Sequence, residues 1–177
     1  MLNPLPSMAI LQGEVDGRFV EPFILPKDSE ALLYVEKDKV ASFRTLFDMQ
    51  MLPLSLKKSE MILSDSDGFR ILLYFEGTYR SNNKIDLLNI FINYLNNYQS
   101  SLKFFYALSK HIKKASVFFE DRVTGSSEGT ELSYFFGSPV NPKSVVNSDL
   151  AHSLEKIRLF FHFPQQELYL NLRMPTF

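Results

Sequence analysis

Met61-Ile62-Leu63-Ser64-Asp65-Ser66-Asp67-Gly68-Phe69-Arg70-Ile71-Leu72-Leu73-Tyr74-Phe75 is the stretch that decides the fold class. Two β-rich runs meet at an Asp-Gly pair, and glycine supplies the positive φ that a tight hairpin turn needs. The pattern predicts an antiparallel hairpin over residues 58–76, turning at residues 64–68. Asp65-Ser66-Asp67-Gly68 also matches the opening of a calcium loop. No glutamate stands where a bidentate ligand would close such a loop, so the turn reading prevails.

Upstream of the hairpin the pattern is again β. From residue 42 to residue 56, Phe43, Thr45, Phe47 and Met49 alternate with Arg44, Leu46, Asp48 and Gln50. Period two predicts a strand with Phe43 and Phe47 facing a core, Arg44 on the other side, and Pro53 ending or bulging it. Phe43→Ala would then cost about 3–5 kcal/mol. Phe19-Val20 and Phe23-Ile24-Leu25 form a stretch stopped by Pro26, with Pro22 inside it marking an edge or broken strand. Ala31-Leu32-Leu33-Tyr34-Val35 is another strand candidate.

Downstream the period changes. Ile85, Leu88, Phe91, Ile92, Leu95 and Tyr98 recur at helical spacing after Ser81-Asn82-Asn83, which offers capping oxygens. A central helix over residues 84–99 is expected. Residues 102–115 fit either helix or strand, Val117-Phe118-Phe119 fits strand, and residues 124–129 read as a flexible connection. Residues 137–142, with one glycine and two prolines, are expected to be irregular. Ser148 can cap a C-terminal helix over residues 149–162 with Leu150, Leu154, Ile157 and Phe161 on one face, stopped at Phe163-Pro164. Leu168, Leu170 and Leu172 alternate with Glu167, Tyr169 and Asn171 as a half-buried strand. The expectation is a single α+β domain over residues 1–177, β-rich over 1–80 and mixed over 81–177.

Composition narrows the function. The 177 residues carry 19 Lys+Arg against 20 Asp+Glu, so no net field draws the chain to phosphate. With no cysteine there is no disulfide, thiolate metal site or cysteine nucleophile. Met1-Leu2-Asn3-Pro4-Leu5-Pro6 lacks the basic and apolar regions of a signal peptide, and no apolar run is long enough to span a bilayer as a helix. The only histidines are His111, His152 and His162, and the last two lie nearly three helical turns apart, too far to share a metal. There is no G-x-S-x-G, P-loop or G-x-G-x-x-G, and the carboxylates are scattered. Neither an enzyme nor a cofactor site is expected. One basic cluster, Lys103, Lys110, His111, Lys113, Lys114 and Arg122, interleaves with Phe104, Phe105 and Tyr106. Such a segment can stack bases, although Glu120 and Asp121 weaken its field, and a solvated face beside a buried one explains it more simply.

Read in order, five segments resemble the TssF family of type VI secretion baseplate subunits. Asn3-Pro4-Leu5-Pro6-Ser7-Met8-Ala9-Ile10 is similar to its P-x-P-S-M-a-i segment, and Ile24-Leu25-Pro26-Lys27-Asp28-Ser29-Glu30-Ala31-Leu32 to its i-P-k-G-t-L segment. Ser42-Phe43-Arg44-Thr45-Leu46-Phe47-Asp48-Met49-Gln50-Met51-Leu52-Pro53-Leu54 resembles F-R-T-x-x-d-v-x-l-x-P-l. Phe69-Arg70-Ile71-Leu72-Leu73-Tyr74-Phe75-Glu76-Gly77 stands where the family has an apolar strand ending in f-y-l-x-G, followed by a helix. Leu154-Glu155-Lys156-Ile157-Arg158-Leu159-Phe160-Phe161-His162-Phe163-Pro164 is similar to the family's y-r-L-L-q-E-Y-F-a-F-P. Asp28 replaces the family glycine, Leu52 a common tryptophan, and Gln165-Gln166 the usual Glu-Lys. The resemblance covers nearly the whole chain and corresponds to an inner part of the longer family proteins, which implies either an inner fragment or a short relative.

What the resemblance implies is structural: a bacterial, cytoplasmic wedge subunit assembling with TssG and TssK, docked on a membrane complex only through partners, and capable of self-association. Neither nucleic acid nor membrane insertion is implied. The alternative readings are a standalone adaptor, or a nucleic-acid module using residues 103–114. Leu159, Phe160 and Phe163 lie away from the stripe of the expected C-terminal helix and are the candidate partner interface.

Overall fold

The structure is a computed structural model. It describes residues 7–13, 18–36, 39–64, 68–77, 85–118, 129–139, 157–158 and 160–174. The protein is a strand-rich α+β chain that divides into two compact units, one spanning Leu11–Asn83 and the other Lys84–Phe177 together with Met1–Ile10. The change of character expected after residue 80 thus falls beside a division into units.

The first unit is built of two-stranded ladders. β1 (Phe23–Leu25) pairs with β4 (Met49–Met51), and β2 (Glu30–Glu36) pairs with β3 (Lys39–Arg44), all antiparallel. The two ladders continue one another, interrupted where residues 26–29 turn opposite residues 45–48. The strand expected to run unbroken from residue 42 is therefore corrected to two, because residues 45–48 bond the turn instead of extending a ladder. Burial alternation survives the break: Phe43, Thr45, Phe47 and Met49 are half-buried, whereas Arg44, Leu46, Asp48 and Gln50 are exposed. Neither Phe43 nor Phe47 reaches full burial, but Pro53 does. β5 (Leu54–Ser64) and β6 (Gly68–Gly77) form the antiparallel hairpin read from the sequence, with Ser64 opposite Gly68.

The second unit is one antiparallel sheet with a helix. Its strand order is β7-β10-β9-β8, where β7 is Leu87–Phe91, β8 Ala115–Phe118, β9 Gly129–Phe136 and β10 Tyr169–Arg173. Register places Leu88, Ile90, Leu170, Leu172, Tyr134, Phe136 and Leu132 on one face. The helix α1 (Tyr98–His111) meets that face through Phe105, whose ring stands edge-on to Phe136 at 5.3 Å between centroids. Ser101, Phe104, Phe105, Leu108 and Ile112, spaced as one helical stripe, are its covered positions. Apart from Pro53, the fully buried apolar side chains among the described residues, Ile92, Leu132 and Leu168, belong to this unit.

The central helix expected at residues 84–99 is corrected by the structure. Leu87–Phe91 is a strand, because Leu88 and Ile90 complete the apolar sheet face beside Leu172 and Leu170. Leu95 and Asn96 have φ of 51° and 53°, which no right-handed helix passes through. Asn97 is the true cap, accepting a hydrogen bond from Ser100 N–H at 2.9 Å. The ambiguous segment after it is helix. Ser81, Asn82, Asn83, Ser148 and most of the expected C-terminal helix lie outside the described residues. Residues 157, 158 and 160–162 are helical, Phe163 leaves helical geometry, and a 3₁₀ turn (Pro164–Glu167) leads into β10.

Candidate assembly surface

The hairpin places its side chains with unusual regularity. Directly paired residues share a face. One face therefore carries five ranks: Leu54 with Gly77, Leu56 with Phe75, Ser59 with Leu73, Met61 with Ile71, and Leu63 with Phe69. A bulge at Lys57 keeps the two sides of this face in step. The opposite face carries Ser55 with Glu76, Lys58 with Tyr74, Glu60 with Leu72, and Ile62 with Arg70. No charged residue occupies the first face.

The second face has the bonding of a solvated surface. Lys58 pairs with Glu60 and lies over the Tyr74 ring, whose hydroxyl donates to Glu60 Oε2 at 3.2 Å. The Lys58 ammonium holds the Glu60 carboxyl below its ordinary range, and Glu60 in turn raises Lys58. The first face has no such water-seeking groups, yet Leu63 and Phe69 are each 71% exposed and Met61 62%. Among the described residues no third strand joins the hairpin. An isolated two-stranded ladder cannot cover its own apolar side.

A second feature links two of the sequence segments. Thr45 Oγ1 donates to Pro26 O at 2.8 Å and accepts from Ser29 N–H at 2.9 Å. Thr45 O accepts from Asp28 N–H at 2.9 Å, and Asp48 Oδ1 from Lys27 N–H at 2.7 Å. Thr45 and Asp48, from the F-R-T-x-x-D run, thus clamp the Pro26-Lys27-Asp28-Ser29 turn. Within that turn Asp28 has φ 64°, a conformation most readily adopted by glycine.

The remaining candidate residues are less concentrated. Phe160 is exposed, Phe163 half-buried, and Leu159 lies outside the described residues. Ile157 and Phe161, expected on one apolar face of the C-terminal helix, are exposed, and Phe161 packs edge-on against Phe160 at 5.5 Å. In the basic segment, Phe104 and Phe105 turn into the unit, whereas Tyr106 is exposed with Lys110 over its ring. Lys114 pairs with Glu131 at 3.1 Å, and Arg122 is outside the described residues. The inward aromatics leave little of a stacking platform. A cleft of about 190 Å³ beside the start of α1 is lined by Phe91, Asn93, Tyr98, Ser101 and Leu168 among others. Its polar groups largely serve the fold: Ser101 Oγ donates to Asn97 O and accepts from Tyr94 N–H, and Asn93 donates to Asn96.

Among the described residues no cluster of three or more metal-ligating side chains occurs, and no helix is long and apolar enough to cross a membrane. Comparison of the chain with protein-family models, curated proteins and solved structures finds no match. The sequence pattern does foreshadow the apolar hairpin face: on β6, Phe69, Ile71, Leu73 and Phe75 occupy alternate positions. Exposure is what the pattern alone does not supply.

Proposed function

We propose that this chain is a structural subunit of a type VI secretion baseplate wedge, similar to TssF, working in the bacterial cytoplasm by protein–protein assembly and not by catalysis. The observation that carries the assembly reading is the exposed, charge-free face of the β5–β6 hairpin, a surface of the kind that protein partners cover. The family reading draws support from the clamp. Two segments that each resemble TssF only weakly are joined by Thr45 and Asp48, and Asp28 stands with positive φ where that family has glycine. The partners are TssG- and TssK-like proteins, with no cofactor. Co-purification with tagged TssG and TssK from a bacterial lysate tests the reading. Retention of either partner at moderate salt is the expected result, and loss of both would remove the baseplate assignment.

A further inference from the structure

We infer that the apolar face of the β5–β6 hairpin is where two copies of this chain meet, packed face to face about a two-fold axis through the Ser59–Leu73 rank. The inference rests on the assembly reading above and names the partner for that surface. Three observations carry it.

The first is area. Leu56, Phe75, Met61, Ile71, Leu63 and Phe69 are 52, 38, 62, 41, 71 and 71% exposed. At about 150–250 Å² for a large side chain, they offer roughly 600 Å² of surface. With its rim, the face approaches the roughly 800 Å² per partner of a stable protein interface. It also sits at the upper end of what a monomer leaves exposed.

The second is charge. The face positions hold none, so the surface offers nothing for a charged partner to neutralise, and a copy of itself buries no unpaired ion. The charges of the described hairpin, Lys57, Lys58 and Arg70 against Glu60 and Glu76, are mixed in sign, and Lys57 is already paired with Glu76 at 3.2 Å. Two copies therefore approach without strong repulsion. Asp65 and Asp67, between the strands in sequence, disfavour insertion of this end into a bilayer.

The third is shape. A two-fold axis at the middle rank sets the first rank of one copy opposite the fifth of the other. Gly77 with Leu54 then meets Phe69 with Leu63, small against large. Leu56 with Phe75 meets Met61 with Ile71. The central Ser59 leaves room where the axis passes. An isologous contact of this kind satisfies both copies at once, and two twisted sheets pack with such alternation.

The test is the mass of the full chain in solution by light scattering over a dilution series. Wild type is expected to be a dimer. Met61→Glu, on the apolar face, should weaken association by roughly a hundredfold or more, because it buries an unpaired carboxylate. Ile62→Glu, one residue along and on the opposite face, should leave the dimer intact. Circular dichroism identifies a variant that has simply unfolded. Because the chain has no cysteine, Ser59→Cys and Glu60→Cys provide a second measurement with a short bismaleimide. Ser59→Cys should link two chains and Glu60→Cys should not. A monomeric wild type, a Met61→Glu dimer, or equal linking by both cysteines would overturn the inference. A monomer that still retains TssG rejects this contact but keeps the baseplate reading, with a TssG-type partner on the face. A dimer that retains neither TssG nor TssK rejects the baseplate and keeps the contact.

Discussion

Asp28 holds a left-handed backbone (φ 64°) at the centre of a turn whose amides and carbonyl are already bonded to Thr45 and Asp48. A side chain there costs energy that glycine does not, partly offset by glycine's larger entropy in the unfolded chain. Asp28→Gly should therefore raise stability by about 0.5–1 kcal/mol in chemical denaturation. Thr45→Val keeps the shape of the side chain but removes the hydroxyl shared by Pro26 O and Ser29 N–H, and should lower stability by about 1–2 kcal/mol. A neutral Thr45→Val would mean that the clamp does not hold the turn. Glu60 gives a pH signature. Its hydrogen bond from Lys58 lowers its folded pKa below the unfolded value. The associated stability is present above the ordinary carboxylate range and lost as pH falls through the folded value. An NMR titration should place the Glu60 transition below that range in wild type, and Lys58→Met should bring it back up.

At the scale of elements, α1 owes its start to one residue. Asn97 caps it through Ser100 N–H, so Asn97→Ala should cost about 1 kcal/mol, read by thermal or chemical unfolding. The hairpin and the last strand were legible in the sequence because their signals are local: an Asp-Gly turn between apolar runs, and Leu170 and Leu172 at period two. The strand Leu87–Phe91 was not, because Leu88 and Phe91 fit period 3.6 as well as Leu88 and Ile90 fit period two. Pairing with β10, some eighty residues later, decides between them. β9 has a period-two signal, Leu132, Tyr134 and Phe136 against Glu131 and Ser133, but it begins directly on the glycine-containing segment before it, which conceals its start. Phe43 shows the same limit in packing. Its side was readable but its depth was not, and half-burial reduces the expected loss for Phe43→Ala to about 1–3 kcal/mol. Asn171 is the converse case: alternation marks it for the polar side of β10, yet it is 0% exposed, and its amide donates to Gly137 O at 2.9 Å.

For the whole molecule, the two units differ in what sustains them. Residues 84–177 contain the buried Ile92, Leu132 and Leu168, a four-stranded sheet and a helix packed on it. Expressed alone, they should unfold cooperatively, as a sigmoidal denaturant curve would show. The described part of residues 11–83 contains only two-stranded ladders, and should show a cooperative transition only where it self-associates or binds a partner. The strand order has a further consequence during synthesis. β10 lies between β7 and β9, although about eighty residues separate its sequence from that of β7. On the ribosome, β7 therefore emerges long before β10 can pair with it, and β8 and β9 can do no more than wait as a hairpin. Closure of this sheet is a single late event, triggered by the arrival of five residues, Tyr169–Arg173. A nascent chain held short of them exposes Leu88 and Ile90 as bare strand, so trigger-factor-like chaperones should remain bound until those residues clear the exit tunnel.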